Sequence, residues 1–227
     1  MERHPGASVI TNQSRDPGAA HADRWAADIQ KPAKKEFSMR QIFTIHAGEY
    51  LVGSHIEKTY KKLRVWLPSS DTGVDLLVTN QQLTHATSLQ VKFSKDFMGD
   101  TGGGKNASKD LLTRIKSGGW WTFNGDKIKN SPADLWVLVL YSFRQRDFDF
   151  VIIEPSKLLE RYMKLDKASG RIQSYVWVTE NRQCWETRGL SKKEQVAVAT
   201  GSFNDPVRDL TTFLNNWQPL EEKIGVK

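Results

Sequence analysis

The sequence predicts an α/β fold with a mixed central sheet of about five strands flanked by helices. Three patterns indicate it: an apolar stripe at helical spacing, several short β-type runs divided by turn residues, and one continuously apolar run typical of a central strand. The loop between the second and third β-type runs is short enough for a hairpin. At least one strand pair is therefore antiparallel, and the sheet is mixed.

The first helix is predicted from Gln41 to Tyr60, because apolar residues there recur at spacings of three and four or their multiples. The Pro155 ring fits the first turn of a later helix. The other predicted elements are, in chain order, β-type runs at 63–67, 74–79 and 88–93, a Gly- and Lys-rich stretch at 94–106, a helix over 108–117 ending at Gly118-Gly119, strands at 135–141, 148–153 and 172–178, and a helix opened by Asp205-Pro206.

The chain of 227 residues divides into a tail and one domain. Residues 1–36 contain proline, glycine and alanine with almost no apolar periodicity, which is typical of a disordered or loosely packed tail. Residues 37–227 form the predicted domain, with a core at about 41–165 and a C-terminal extension at 166–227.

The charge balance favours a polyanionic partner. The chain has 33 lysines and arginines against 26 acidic residues, a net charge of +7. Between Lys92 and Lys129 there are eight basic and four acidic residues, so more than half of the excess lies there. Basic side chains that neutralise phosphates release counterions, which favours DNA as partner.

No membrane span is predicted, because no stretch approaches the roughly 18 apolar residues that a spanning helix needs. No secretory signal is predicted either, because the N-terminus lacks an apolar core of roughly 7–15 residues. We therefore expect a cytoplasmic protein with no membrane partner. The lone cysteine, Cys184, excludes an internal disulfide.

The predicted hairpin carries the sharpest chemical pattern. Three apolar residues project to one face of its second strand: Leu89, Val91 and Phe93. Gln90 and Lys92 project to the other face, because side chains alternate along a strand. Symmetric pairing about the loop would place Asp75 across from Lys92. Glu49 interrupts the apolar stripe of the first helix, so we expect it to point toward the sheet.

Such a set suits metal-assisted hydrolysis of a phosphodiester bond. Carboxylate oxygens from Asp75 and Glu49 match Mg²⁺, which is held by one or two carboxylates and keeps waters for a substrate phosphate. Lys92 could orient the nucleophile or stabilise the phosphorane.

Glu49, Val74-Asp75 and Gln90-Val91-Lys92, in the order helix, strand, strand, resemble the PD-(D/E)xK nuclease superfamily in its QxK variant. The similarity covers about residues 48–155 and implies a restriction endonuclease-like core. It implies that Asp75 binds the metal, that Lys92 is catalytic, and that Glu49 is the first-helix acid of part of the superfamily. Val74 replaces the proline. Gln90 replaces the second acid, which leaves its side-chain oxygen and the Val91 backbone carbonyl as neutral ligands.

The resemblance implies an Mg²⁺-dependent DNA endonuclease in restriction or defence, with Mn²⁺ as a substitute cofactor and a two-fold dimer as the simplest double-strand cutter. Five basic residues after the hairpin are expected to contact DNA: Lys95, Lys105, Lys109, Arg114 and Lys116. Two alternatives stay open, a catalytically inactive DNA-binding protein on a nuclease-like fold and a structure-specific repair or recombination nuclease. A plain surface hairpin with Asp75 and Lys92 as a solvated pair is the simplest alternative.

Two further motifs allow other interpretations. Residues 99–106 nearly fit the phosphate-binding loop G-x-x-x-x-G-K-[ST], but Asn106 stands in place of the hydroxyl residue. We favour a loop beside the hairpin that meets the phosphate backbone. Trp120-Trp121 could stack on bases, although a core position is the more common use of such a pair.

Overall fold

The structure, a computed structural model, describes residues 46–70, 72–94, 113–142, 145–165 and 170–225, all within one compact unit. The predicted tail and most of the Gly- and Lys-rich stretch lie outside these ranges. The elements in chain order are α1 (Ala47–Thr59), β1 (Leu63–Trp66), β2 (Leu76–Asn80), β3 (Ala86–Ser94), β4 (Ile115–Asn124), α2 (Gly125–Lys129), β5 (Leu135–Ser142), β6 (Asp147–Ile153), α3 (Pro155–Lys164), β7 (Arg171–Thr179), β8 (Cys184–Glu186), α4 (Lys192–Thr200), a 3₁₀ turn (Thr211–Phe213) and α5 (Gln218–Ile224).

A five-stranded sheet in the order β1-β2-β3-β5-β6 forms the centre of the unit. β3 and β5 are parallel, and the other neighbouring pairs are antiparallel, which confirms a mixed α/β sheet. β5 is apolar from Leu135 to Leu140, as expected for a strand that lies between two others and is covered on both faces.

The two faces of this sheet are covered by different layers. α1 and α5 cover one face, where Val52 and Ile56 meet Trp217 and Leu220 in one buried cluster. A second antiparallel sheet, in the order β4-β7-β8, packs with α3 on the other face. This second sheet and the helices α2, α4 and α5 are not among the elements predicted from the sequence.

The second sheet covers only part of the face on which it packs. Its buried cluster includes Trp136 and Leu138 of β5 and Val151 of β6. On the same face, at the β1–β2 side, Trp66 and Leu77 remain 49% and 36% exposed. The central sheet is thus wider than its cover, and a cleft opens along the boundary.

The helix predicted over 108–117 is wrong from Ile115 onward, where β4 begins and continues through Gly118-Gly119. Residues 108–112 lie outside the described ranges. The glycines do not end a helix here. The indole of Trp121 lies against Gly119 so closely that a Cβ would collide with it. Trp121 is 6% exposed within the core, which favours the core interpretation for Trp121, whereas Trp120 is half-buried.

The helix predicted after Asp205-Pro206 is also wrong. The segment forms turns and a short 3₁₀ turn, because its backbone bonds to strands instead of to itself. The Leu210 N–H donates to the Cys184 carbonyl at 2.8 Å, and the Asn215 N–H donates to the Phe150 carbonyl. The predicted C-terminal extension is therefore packed into the sheets.

No helix within the described ranges is both long and apolar enough to cross a membrane.

Candidate active site

The β2–β3 hairpin places Asp75 opposite Gln90, two positions from the predicted pairing with Lys92. Leu76 pairs with Leu89, and the Asp75 N–H donates to the Leu89 carbonyl at 2.8 Å. The prediction of Lys92 across from Asp75 is wrong because β3 begins two residues earlier than predicted, at Ala86, whereas β2 ends only one residue later, at Asn80, so Thr79 pairs with Ala86.

The turn itself explains this register. The Asn80 side-chain oxygen accepts hydrogen bonds from the Thr84 and His85 N–H groups, at 2.9 and 3.3 Å. Leu83 adopts a left-handed backbone with φ of 58°. These features close the loop over residues 81–85, so β3 already begins at residue 86.

The predicted division of β3 into two faces is confirmed. Leu89 and Val91 are buried in the cluster beneath α1 and α5. Gln90 and Lys92 face the other way and line the cleft together with Asp75. The strand therefore anchors the core with one face and presents polar groups with the other.

Asp75 is fixed by two donors from β3. Its side chain is 4% exposed, and its Oδ2 accepts hydrogen bonds from the Gln90 amide and from the Val91 N–H, the latter at 2.7 Å. Because the Gln90 nitrogen faces Asp75, the Gln90 Oε1 is directed to the side of Gly73. Oxygen atoms of both side chains thus border the cleft.

Glu49 reaches the same cleft from the first turn of α1. It is 4% exposed, as expected for a glutamate directed toward the sheet. The helix approaches β3 very closely at the preceding residue, where a Cβ on Gly48 would stand 2.7 Å from the Phe93 Cβ. Glycine at position 48 therefore lets the first turn of α1, which carries Glu49, lie directly against β3.

Lys92 lies over an aromatic ring that is itself held in place. Its Nζ is 5.6 Å from the centroid of the Trp136 ring, within range of a cation–π interaction. The Trp136 Nε1 donates to the Ser131 Oγ at 2.8 Å, which fixes the indole. This position of Lys92 could not be predicted from the sequence, in which Trp136 is only one member of an apolar strand.

The cleft that joins these residues has a volume of about 1540 Å³. Glu49, Asp75, Gln90 and Lys92 line one side of it. The other side comes from the end of β4, from α2 and from the start of β7, and it includes three residues that the site prediction missed: Asp126, Lys127 and Arg171. All three are exposed. Only the fold brings them near the hairpin, so spacing along the chain could not identify them.

The predicted DNA contacts have different outcomes. Lys95, Lys105 and Lys109 lie outside the described residues. Arg114 is exposed and directly precedes β4. The opposite end of β4 borders the cleft. Nine residue steps of about 3.3 Å separate the two ends, so Arg114 lies roughly 30 Å from the cleft. The structure therefore does not bring Arg114 to the cleft.

Lys116 is buried at 5% exposure, so its prediction as a DNA contact is wrong. Its Nζ lies 3.0 Å from carboxylate oxygens of both Asp147 and Asp149. The Asp149 carboxylate also accepts hydrogen bonds from Arg182 and Asn215. A buried lysine must have such partners, because an unpaired buried charge is very costly.

The same network lowers the pKa of Asp147. Desolvation pushes this pKa upward, but the hydrogen bond from the Lys116 ammonium, a backbone hydrogen bond and the charges of Lys116 and Arg182 outweigh it. Asp147 therefore stays ionised and keeps the lysine paired.

Within the described ranges, no three His, Cys, Asp or Glu side chains converge in an arrangement that could hold a metal ion. The cleft instead combines two buried acids, Glu49 and Asp75, with the amide of Gln90 and the peptide of Val91.

Comparison with protein-family models, with curated proteins and with solved structures gives no match.

Proposed function

We propose that the protein is a metal-dependent nuclease that hydrolyses phosphodiester bonds of DNA in the cleft beside the β2–β3 hairpin. The observation that carries the proposal is the convergence of Glu49, Asp75, Gln90 and Lys92 on one cleft from a helix and two strands. These are the residues on which the resemblance to the QxK variant of the PD-(D/E)xK nucleases rests. By that resemblance we also propose a restriction endonuclease-like core and a role in restriction or defence.

The donor set fits a hard divalent cation. Mg²⁺ prefers oxygen ligands and is held by one or two carboxylates, and Mn²⁺ accepts similar ligands. Asp75 and Glu49 would supply the carboxylates, with the Gln90 Oε1 and the Val91 carbonyl as neutral ligands. Bound there, the ion would lower the pKa of a water and offset charge on the scissile phosphate.

The chain's own residues would divide the remaining work. Gln90 and the Val91 peptide hold Asp75 in one orientation through their hydrogen bonds. Lys92, held over Trp136, would orient the attacking water or stabilise the charge that develops on the phosphorane. Lys127 and Arg171, across the cleft, would contact the phosphate backbone.

A plasmid-nicking assay with and without Mg²⁺ tests the proposal. Asp75→Asn keeps the shape of the side chain but removes its charge, and we expect it to lower nicking by about 10²-fold or more, since metal stabilisation of the transition state is worth several kcal/mol. Lys92→Met keeps the stem over Trp136 and should abolish cleavage while DNA binding persists.

Asp134→Asn is the matched control, because Asp134 also accepts hydrogen bonds from β3, from the Ser88 N–H and hydroxyl, but is not among the residues that line the cleft. It should nick at the wild-type rate. Full Mg²⁺-dependent activity in Asp75→Asn or Lys92→Met would remove the assignment.

The glutamine at position 90 favours a second candidate, a DNA-binding protein without hydrolytic activity. An amide in place of the second acid leaves one formal negative charge fewer at the metal. This candidate predicts salt-sensitive DNA binding that Asp75→Asn does not change, with no nicking in Mg²⁺ or Mn²⁺.

A further inference from the structure

The β1–β2 side of the central sheet carries an exposed apolar surface on the same face as the candidate active site. Trp66 and Leu77 are partners in the strand register and are 49% and 36% exposed. Leu77 follows Asp75 by two positions, so their side chains project from the same face. The surface is therefore continuous with the cleft.

The Trp66 indole is fixed with its ring toward solvent. Its Nε1 donates to the Thr79 Oγ1 at 3.0 Å, and Thr79 is 6% exposed. This bond uses the only polar atom of the side chain, so the exposed part consists of ring carbons. A ring already held in one orientation loses little conformational freedom when a ligand stacks on it.

The chain leading into this surface is basic. Four basic residues against a single acid, Glu57, occupy the end of α1 and the start of β1, and all four are exposed: Lys58, Lys61, Lys62 and Arg64. Arg64 projects from the same strand face as Trp66, two positions away. An aromatic ring beside such cations is the combination that binds single-stranded nucleic acid.

We propose that Trp66, supported by Leu77, is a stacking platform for an unpaired base of the DNA whose backbone lies in the cleft. This inference rests on the proposed function and gives its substrate class, single-stranded or locally unpaired DNA. Strand geometry places Trp66 about 8 Å from Asp75, a distance that two or three nucleotides span at about 3.4 Å each.

Binding of a short fluorescent oligonucleotide, measured in EDTA, tests the platform independently of hydrolysis. Trp66→Leu keeps an apolar cover but removes the ring, and we expect about 5- to 150-fold weaker binding of single-stranded DNA. Trp66→Phe should retain most of the affinity. The loss on fully paired duplex should be much smaller.

Oligonucleotides with a single abasic position provide the second measurement. At one position in the oligonucleotide, removal of the base should weaken binding to the wild-type protein. The same removal should not weaken binding to Trp66→Leu any further. The matched control is Val196→Ala, because Val196 is 48% exposed but lies on α4, and it should bind as the wild type does.

Trp66→Leu binding within twofold of the wild type would overturn the proposal. An equal loss of affinity for single-stranded and duplex DNA in Trp66→Leu would also overturn it. So would a set of abasic oligonucleotides in which no position distinguishes the wild type from Trp66→Leu. Absence of Mg²⁺-dependent nicking would instead count against the proposed function, since the binding assay contains no metal.

Discussion

Asp75 and Gln90 face each other across the β2–β3 hairpin, and the Gln90 amide donates a hydrogen bond to the Asp75 Oδ2. The amide therefore holds the carboxylate in place without adding a second negative charge. This pairing makes the effect of a carboxylate at position 90 depend on whether a metal is present.

The Gln90→Glu variant should be less stable than the wild type without metal, and Mg²⁺ should restore its stability. Two opposed carboxylates lose the hydrogen bond and repel each other, and we expect a loss of about 1–3 kcal/mol in the free energy of unfolding. Mg²⁺ should then raise the thermal midpoint more than it does in the wild type, and nicking should persist. Gln195→Glu makes the same charge change on α4 and should show no such rescue. Complete loss of metal-dependent activity in Gln90→Glu would argue against position 90 at the metal.

Lys127→Ala and Arg171→Ala should weaken DNA binding through lost phosphate contacts. Both residues line the cleft and are exposed. Each substitution should reduce the slope of log affinity against log salt by about one, whatever the DNA sequence. Anisotropy titrations at several salt concentrations measure this. Arg114→Ala, at the far end of β4, should change the slope less, and an equal change would show that DNA follows the whole length of β4.

Lys116→Met should lower stability at neutral pH, because it leaves the buried Asp149 without its ammonium partner. We expect a loss of about 3 kcal/mol in the free energy of unfolding, the usual cost of breaking a buried ion pair. The pKa of Asp147 is lower in the folded protein than in the unfolded chain, where it is about 3.9. Its contribution to stability is therefore full above the unfolded pKa and is lost as the pH falls through the folded pKa. Urea unfolding should therefore show a smaller difference in the free energy of unfolding between the wild type and Lys116→Met near pH 3.5 than at neutral pH. A difference that grows on acidification would contradict this account.

Cys184 should resist thiol reagents until the protein opens. It is fully buried, and burial together with the Asp149 and Asp209 charges raises the pKa of its thiol well above the ordinary value. Because the thiol pKa is higher in the folded protein than in the unfolded chain, the contribution of Cys184 to stability is full below the unfolded pKa of about 8.5. It falls as the pH rises from there through the folded pKa. Labelling at pH 8 should be slow in buffer and fast in urea. Rapid labelling of the native protein would show that β8 opens locally.

The elements that the sequence predicted well are those whose pattern depends on local periodicity. The alternation at Gln90 and Lys92, the apolar strand after Leu135 and the proline-initiated helix at Pro155 follow from side-chain direction and backbone geometry. Local patterns suffice to predict these elements, because the neighbouring layers of the fold only cover an apolar face that the pattern already defines.

The sequence could not predict features that depend on distant partners. The register at Asp75 depends on how the Asn80 side chain closes its loop. The strand at Ile115 forms because β7 pairs with it, and the Lys116 charge is buried because Asp149 meets it from another sheet. The residues on the hairpin side of the cleft could be grouped from the alternation along β3, whereas the second side, with Lys127 and Arg171, required the fold.

The helix-covered face of the central sheet is closed by two segments that are far apart in the sequence. Val52 and Ile56 come from α1, whereas Leu220 comes from α5 and Trp217 directly precedes α5. Because α1 precedes α5 by most of the described sequence, α1 leaves the ribosome long before α5 does. Until α5 emerges, the nascent protein exposes a broad apolar surface, and such long-range closure is slow. Chains that terminate before Trp217 should therefore expose this apolar face and aggregate.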